Sequence, residues 1–266
     1  MKQRVISAIV MLIIFIPIFI VGGKVFNIAF YVLTLIGLRE FMNAREKEKK
    51  FPDFIRLISY ILISFLYYIN TFDAGLSFSI DYRIVAGLSL ALLLPVILYH
   101  NEKVYNVRDA FYLLGGVFFL GFSMSLFYMY RTKSLSLIIF LFLITIITDS
   151  YAYFTGRLIG KTKLIESISP NKTWEGTIGG SLVGTFVCTV YYLTVIDPDA
   201  SVFVIALIVL LLSIIGQLGD LFFSAIKRRF KVKDFSNLMP GHGGVLDRFD
   251  SIIFVMLAFT FFLNIL

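Results

Sequence analysis

Nine apolar windows, near 5–22, 25–42, 55–71, 83–99, 109–130, 134–155, 175–196, 202–225 and 249–265, take up most of this chain. Crossing about 30 Å of hydrocarbon takes about 20 mostly apolar residues as a helix, and backbone polar groups in lipid must be satisfied within the segment. The windows therefore predict an all-α, polytopic integral membrane helix bundle of about nine transmembrane helices. The chain is 59% hydrophobic and 15% charged, against about half and about a quarter in soluble domains. That excess reads as lipid-facing surface and not as a larger core. The longer polar stretches, 156–174 and 226–248, are too short to be soluble domains and are the candidates for function. The N-terminal apolar run after Lys2 and Arg4 exceeds the ~7–15 residues of a signal-peptide core, and no small-x-small cleavage site precedes Gly22. It reads as a retained first helix.

Loop charge fixes the expected orientation. With nine helices and the N-terminus cytoplasmic, 20 of the 24 Lys and Arg fall on one side; Lys24, Arg83, Arg131 and Lys133 remain on the other. Basic residues concentrate in cytoplasmic loops, so both candidate loops face the cytoplasm, where nucleotides are available. The net charge of +7 does not imply nucleic acid, because the cations lie in short loops between apolar runs and not on one basic face. Cys188 is the single cysteine, which excludes an internal disulfide and a cysteine metal site. No internal repeat is evident. Segment 1–133 reads as scaffold, and 134–266 as the region that carries the chemistry.

Three carboxylates stand out in that region. Asp220 lies within an apolar helix, where a charge is costly and normally faces a bundle interior or a cavity. Gln217, Asp220 and Ser224 share its face by i, i+3, i+7 spacing, and Lys227 and Arg228 are expected to continue that face into water. Asp247 and Asp250, also spaced i, i+3, open the last helix; they can cap it or join Asp220 as ligands. Oxygen donors of this kind suit Mg²⁺, which is usually held by one or two carboxylates plus substrate phosphates. Arg248 between them can offset phosphate charge or snorkel. Pro240-Gly241-His242-Gly243-Gly244 is a tight turn whose amides can approach a phosphate, helped by the helix N-terminus that follows. His242 can contact phosphate or simply shape the turn.

In the other loop, Asp149 is again a carboxylate near a helix end. Ser169, Lys172 and Thr173 are hydroxyl and cationic donors suited to phosphate, Trp174 is an interfacial anchor or a base-stacking surface, and Glu175 can pair with Lys172 or assist a metal indirectly. Gly176, Gly180 and Gly184 repeat every four residues, a smooth stripe for close helix packing.

Ser224-x-x-Lys227-Arg228, Lys233-Asp234, Pro240-x-His242-Gly243-Gly244 and Asp247-Arg248-x-Asp250 resemble, in that order, the signature of the phosphatidate cytidylyltransferases (CDP-diacylglycerol synthases). Ser169-Pro-x-Lys172-Thr173-Trp174-Glu175-Gly176 and Asp149-x-x-Ala152-Tyr153-x-x-Gly156-Arg157-x-x-Gly160-Lys161 are similar to the same family. The likeness covers roughly 145–252. One departure is Phe235-Ser236, where many members have a glycine or small residue after the Lys-Asp pair.

The resemblance implies transfer of a cytidylyl group from CTP to phosphatidate, giving CDP-diacylglycerol and pyrophosphate for phospholipid synthesis. It further implies catalysis by Asp220, Asp247, Asp250, Lys227 and Arg228, with Mg²⁺ on Asp220 and Asp247, supported by Asp250, and a second cation left open. Substrates would be held by Ser169, Lys172, Thr173, Asp149, Lys233, Asp234, His242, Gly243, Gly244 and Arg248. The expected setting is the cytoplasmic (inner) membrane with the site facing the cytoplasm and the lipid entering laterally between helices 6–9. A large apolar face is compatible with a homodimer. A related CTP-using lipid enzyme would share this logic, whereas a transporter would carry polar residues at mid-membrane, where most of these helices are plain Leu, Ile and Phe.

Overall fold

The computed structural model describes residues 2–72 and 82–263, with the side chains of 2–5 and 8 left aside. Nine α-helices occur among the described residues: α1 Lys2–Val21, α2 Gly23–Glu46, α3 Asp53–Phe72, α4 Tyr82–Tyr99, α5 Val107–Lys133, α6 Leu135–Ile159, α7 Trp174–Tyr191, α8 Val202–Arg229 and α9 Leu246–Phe262. Seven of them, α2 to α8, are long and apolar enough to cross a membrane when α7 is taken through its π-helical extension Tyr192–Ile196. The apolar stretch of α1, Ile9–Val21, and the 17 residues of α9 are shorter. The chain is an all-α polytopic membrane protein.

One departure from pure helix interrupts the polar loop after α6. Strands β1 Lys163–Ile165 and β2 Ser169–Thr173 pair antiparallel, Lys163 opposite Thr173 and Ile165 opposite Ser169. Lys163 Nζ donates to the Pro170 carbonyl at 2.6 Å across this hairpin. Thr173 then ends the strand and caps α7, its hydroxyl accepting from the Gly176 amide at 3.1 Å, the usual service of a threonine at a helix start.

Two compact units emerge. The first comprises 1–132 together with 234–246, and the second 133–233 together with 247–266. In the first unit, Phe26 stacks on Phe30 at 4.2 Å and Phe30 on Phe127 at 4.9 Å, building an aromatic core. Arg131 of α5 donates to the Phe19 and Ile20 carbonyls at 2.7 and 3.0 Å, satisfying the orphan acceptors and the negative dipole end of α1. Asp109, at the start of α5, is closed off by Arg45 and Lys49 of and after α2, each at 2.6 Å.

In the second unit, the glycine stripe of α7 lies against α6. A Cβ at Gly180 would come within 2.5 Å of the Thr148 carbonyl and 2.9 Å of the Ala152 amide, and one at Gly176 within 2.6 Å of the Ala152 carbonyl. Only glycine lets these backbones approach so closely. Gln217 on α8 donates to Ser181 Oγ at 2.9 Å and so ties α8 to α7. Gly216 and Gly219 leave room for Val255 and Phe254 of α9. This framework of α6 to α9 positions the acidic residues.

Candidate active site

Asp220 sits near the lysine- and arginine-rich end of α8. Its Oδ2 pairs with Lys172 Nζ of β2 at 2.6 Å, and its Oδ1 accepts from Ser224 Oγ at 3.2 Å. The pair is partly accessible, the side chains being 22% and 27% exposed for lysine and aspartate. Ser224 is one turn on from Asp220, as their i, i+4 spacing dictates. The hairpin therefore delivers a cation from one loop onto a carboxylate from another helix.

Asp247 lies in the first turn of α9 and is buried, its Oδ1 accepting from Lys227 Nζ at 2.8 Å. Lys227 does not extend into water, as the sequence suggested. It is itself buried, and its ammonium meets Asp247 instead of solvent. Arg228, the next residue, is exposed and donates to the Ile168 carbonyl at 3.2 Å and the Val232 carbonyl at 3.4 Å. It fastens the end of α8 to the hairpin turn.

Asp250, one turn into α9, accepts from the Ser251 amide at 2.9 Å. Ser251 Oγ donates to Asp149 Oδ2 of α6 at 3.3 Å. Asp149, Asp220 and Asp250 lie within electrostatic reach of one another, with Lys172 near the first and Lys227 near the last. Neither Asp149 nor Asp250 has a lysine, arginine or histidine within ion-pair distance among the described residues. Four carboxylates thus draw on two ammonium groups and the Arg248 guanidinium, fewer cations than acids, leaving local negative charge for a cation to offset. Thr145, Thr148, Asp149, Ser213, Gln217 and Ser251 line a narrow crevice beside them.

Among the described residues, no three carboxylate, histidine or cysteine side chains stand close enough to hold a metal ion as they are placed. The donor set nevertheless fits a hard divalent cation: it is made of carboxylate oxygens, and two of the acids hold ammonium groups where a metal's charge would act.

The remaining expected site residues fall in different places. Ser169 lies half-buried on β2, Thr173 is engaged as the α7 cap, and Arg248 and Lys233 are exposed. Asp234, His242, Gly243 and Gly244 belong to segment 234–246 in the first unit. There the glycines serve a tight turn: Met239 donates to the Gly243 carbonyl at 2.9 Å and accepts from the His242 and Gly243 amides at 2.8 and 3.1 Å. Gly241 and Gly243 take φ of 78° and 84°, the left-handed region that side chains disfavour. His242 Nδ1 meets Ser7 Oγ at 2.7 Å. The amides expected to offer themselves to phosphate are therefore engaged: those of 242 and 243 within the turn, and those of 245 and 246 by the Glu40 carboxylate at 2.9 and 2.8 Å.

Glu40, Ser7 and Ser251 were not singled out from the sequence. Glu40 had a signal, a carboxylate at the end of an apolar window. Ser7 and Ser251 had none, since a serine is not unusual in a helix.

Residues 2–266 match the model of the cytidylyltransferase family. The chain is 38% identical over 257 residues to the phosphatidate cytidylyltransferase of Staphylococcus haemolyticus, 39% over 258 residues to that of Staphylococcus epidermidis and 37% over 257 residues to that of Staphylococcus aureus. Each alignment covers 96% of both chains.

Proposed function

This chain belongs to the cytidylyltransferase family, and we propose that it transfers the cytidylyl group of CTP to phosphatidate, releasing pyrophosphate and yielding CDP-diacylglycerol. In this reaction an oxygen of the lipid phosphate bonds to the α-phosphorus of CTP, and the bond from that phosphorus to the bridging oxygen of pyrophosphate breaks. The observation that carries the reading is the acid cluster on α6, α8 and α9, with Lys172 on Asp220 and Lys227 on Asp247.

Transfer at phosphorus depends on positioning and charge neutralisation more than on a covalent protein nucleophile. Lys172, Lys227, Arg228 and Lys233 are cations suited to phosphate oxygens, Lys172 and Lys227 already standing beside the acids. Asp220, Asp247 and Asp250, with Asp149 as a further oxygen donor, are the residues that would hold a divalent cation such as Mg²⁺. When bound, that cation would offset the charge that develops on the entering and leaving oxygens. Ser169 and Thr173 complete the nucleotide side of this reading, and Asp234, His242, Gly243, Gly244 and Arg248 the loop side. Segment 134–266 is the catalytic region on the scaffold 1–133. The site faces the cytoplasm, on the side that gathers most of the basic loop residues, and phosphatidate arrives from the same leaflet.

The test is pyrophosphate release by the purified protein in detergent with CTP, phosphatidate and Mg²⁺, run beside Asp247→Asn. Release that requires both substrates and is lost in the variant supports the reading. Absence of release from folded protein with several lipid phosphates would overturn it.

A further inference from the structure

Glu40 is a buried carboxylate in the body of α2, 3% exposed. A charge there needs compensation, yet no lysine, arginine or histidine lies within ion-pair distance of it among the described residues. Among the described residues, its hydrogen bonds go to one segment. It accepts from Ser236 Oγ at 2.6 Å, from the Val245 amide at 2.9 Å and from the Leu246 amide at 2.8 Å. Ser236 Oγ in turn accepts from the Leu238 amide at 3.2 Å.

The surrounding residues are shaped for this contact. A Cβ on Gly244 would collide with the Glu40 carboxylate, so a side chain there would push that carboxylate off its donors. One turn before Glu40 on the same face of α2, a Cβ on Gly37 would stand 3.2 Å from the Leu246 side chain, which is fully buried. Gly37 gives Leu246 its seat while Glu40 holds its amide. We propose that Glu40 is a positioning residue: it fixes segment 236–246 on α2 and thereby sets the first turn of α9, which carries Asp247 and Asp250.

The alternative is that Glu40 merely caps a helix. A cap is ordinarily local, a Ser, Thr, Asp or Asn at the helix start. Here Gly244 and Val245 supply no side-chain acceptor, and the service comes from a residue 206 positions away. A local cap would stabilise α9 wherever it stood; a carboxylate on α2 ties its start to one place. The helix dipole favours a negative charge there, so Glu40 needs no cation of its own.

The inference rests on the cytidylyl-transfer reading for what the segment serves, and the experiment separates the two. Full-length wild type, Glu40→Gln, Glu40→Asp and Ser236→Ala are compared for kcat, for KM of CTP and phosphatidate, for the Mg²⁺ concentration at half-maximal rate, for thermal unfolding, and for tryptic cleavage after Lys231 and Lys233. Gln keeps one acceptor oxygen and turns an NH₂ toward the other donor. It is expected to lower kcat about 10–100-fold, as loss of an orienting partner behind a ligand set typically does. The phosphatidate KM should stay within about twofold, and the Mg²⁺ requirement should rise. Asp, which restores charge on a shorter stem, should recover part of that loss, and Ser236→Ala should cost roughly 5-fold, the equivalent of one hydrogen bond.

Wild-type kcat with an unchanged Mg²⁺ requirement in Glu40→Gln overturns the proposal. So does a loss of rate that only follows the unfolded fraction, with no rescue by Asp. If wild type itself does not turn over CTP and phosphatidate, the functional reading fails instead. Cleavage after Lys231 and Lys233 then decides the anchoring alone: faster cutting in Glu40→Gln supports it, and unchanged cutting sinks it.

Discussion

Asp109 and Asp220 are both carboxylates near helix ends, and their surroundings differ in kind. Asp109, at the start of α5, is 1% exposed and has a cation on each oxygen, Arg45 and Lys49 at 2.6 Å. Asn106 closes the arrangement, its side chain accepting from the Asp109 amide at 2.9 Å. Asp220 shares two lysines and Arg248 with Asp149, Asp247 and Asp250, and its own pair is partly accessible. Asp109 has a cation on each oxygen and is sealed; the other group has fewer cations than acids, and Asp220 with its lysine is partly accessible. A sealed acid with both oxygens paired holds the fold, whereas a partly accessible set short of cations has capacity for something that arrives.

That contrast is open to attack. Asp220→Asn should lower pyrophosphate release about 10³-fold, since a metal-binding carboxylate is worth several kcal/mol of transition-state charge stabilisation and each 1.36 kcal/mol is tenfold. Its unfolding temperature in detergent should stay close to wild type. Asp109→Asn should do the reverse, losing about 3 kcal/mol of stability because two half-buried cations lose their buried carboxylate partner, with turnover per folded molecule unchanged. Chemical denaturation and active-site-normalised rates measure both; a fall in normalised rate for Asp109→Asn would erase the distinction.

Two smaller effects sharpen the picture within the second unit. Gly180→Ala places a methyl against backbone atoms of α6 that cannot yield locally, and should cost about 2 kcal/mol as overpacking, seen as a lower unfolding temperature. Thr173→Ala should cost about 1 kcal/mol for the lost α7 cap. If Thr173→Ala instead raised the KM for CTP several-fold without changing stability, the hydroxyl would belong to the nucleotide and not to the helix.

Much of the fold was legible because hydrocarbon imposes one rule on every crossing segment, and nine windows correspond to nine helices among the described residues. Where windows and helices disagree, the cause is physical. Helix α8 runs on to Arg229 and α6 to Ile159, since a helix continues past the lipid boundary while hydropathy falls off there. The hairpin was not legible: its strands are three and five residues long and β2 contains Pro170 and Asn171, poor strand formers. In the site, Asp220, Lys172 and Asp247 stood out one by one, but their pairings join separate loops and helices, which no local spacing encodes. Glu40 was passed over because it lies among charges at the end of its window. The reasoning that picked out Asp220, the cost of a carboxylate in an apolar helix, applied to it equally.

The contacts that close the first unit also impose an order on biogenesis. Glu40 leaves the ribosome early, and its partners Val245 and Leu246 follow about two hundred residues later. Arg131 likewise reaches back 112 residues to the end of α1. Until synthesis passes residue 246, α2 lacks the donors that its buried acid meets in the finished protein. The last loop to be made is therefore the one that completes the first unit's oldest polar contact, and a chain that terminates before it cannot make that contact.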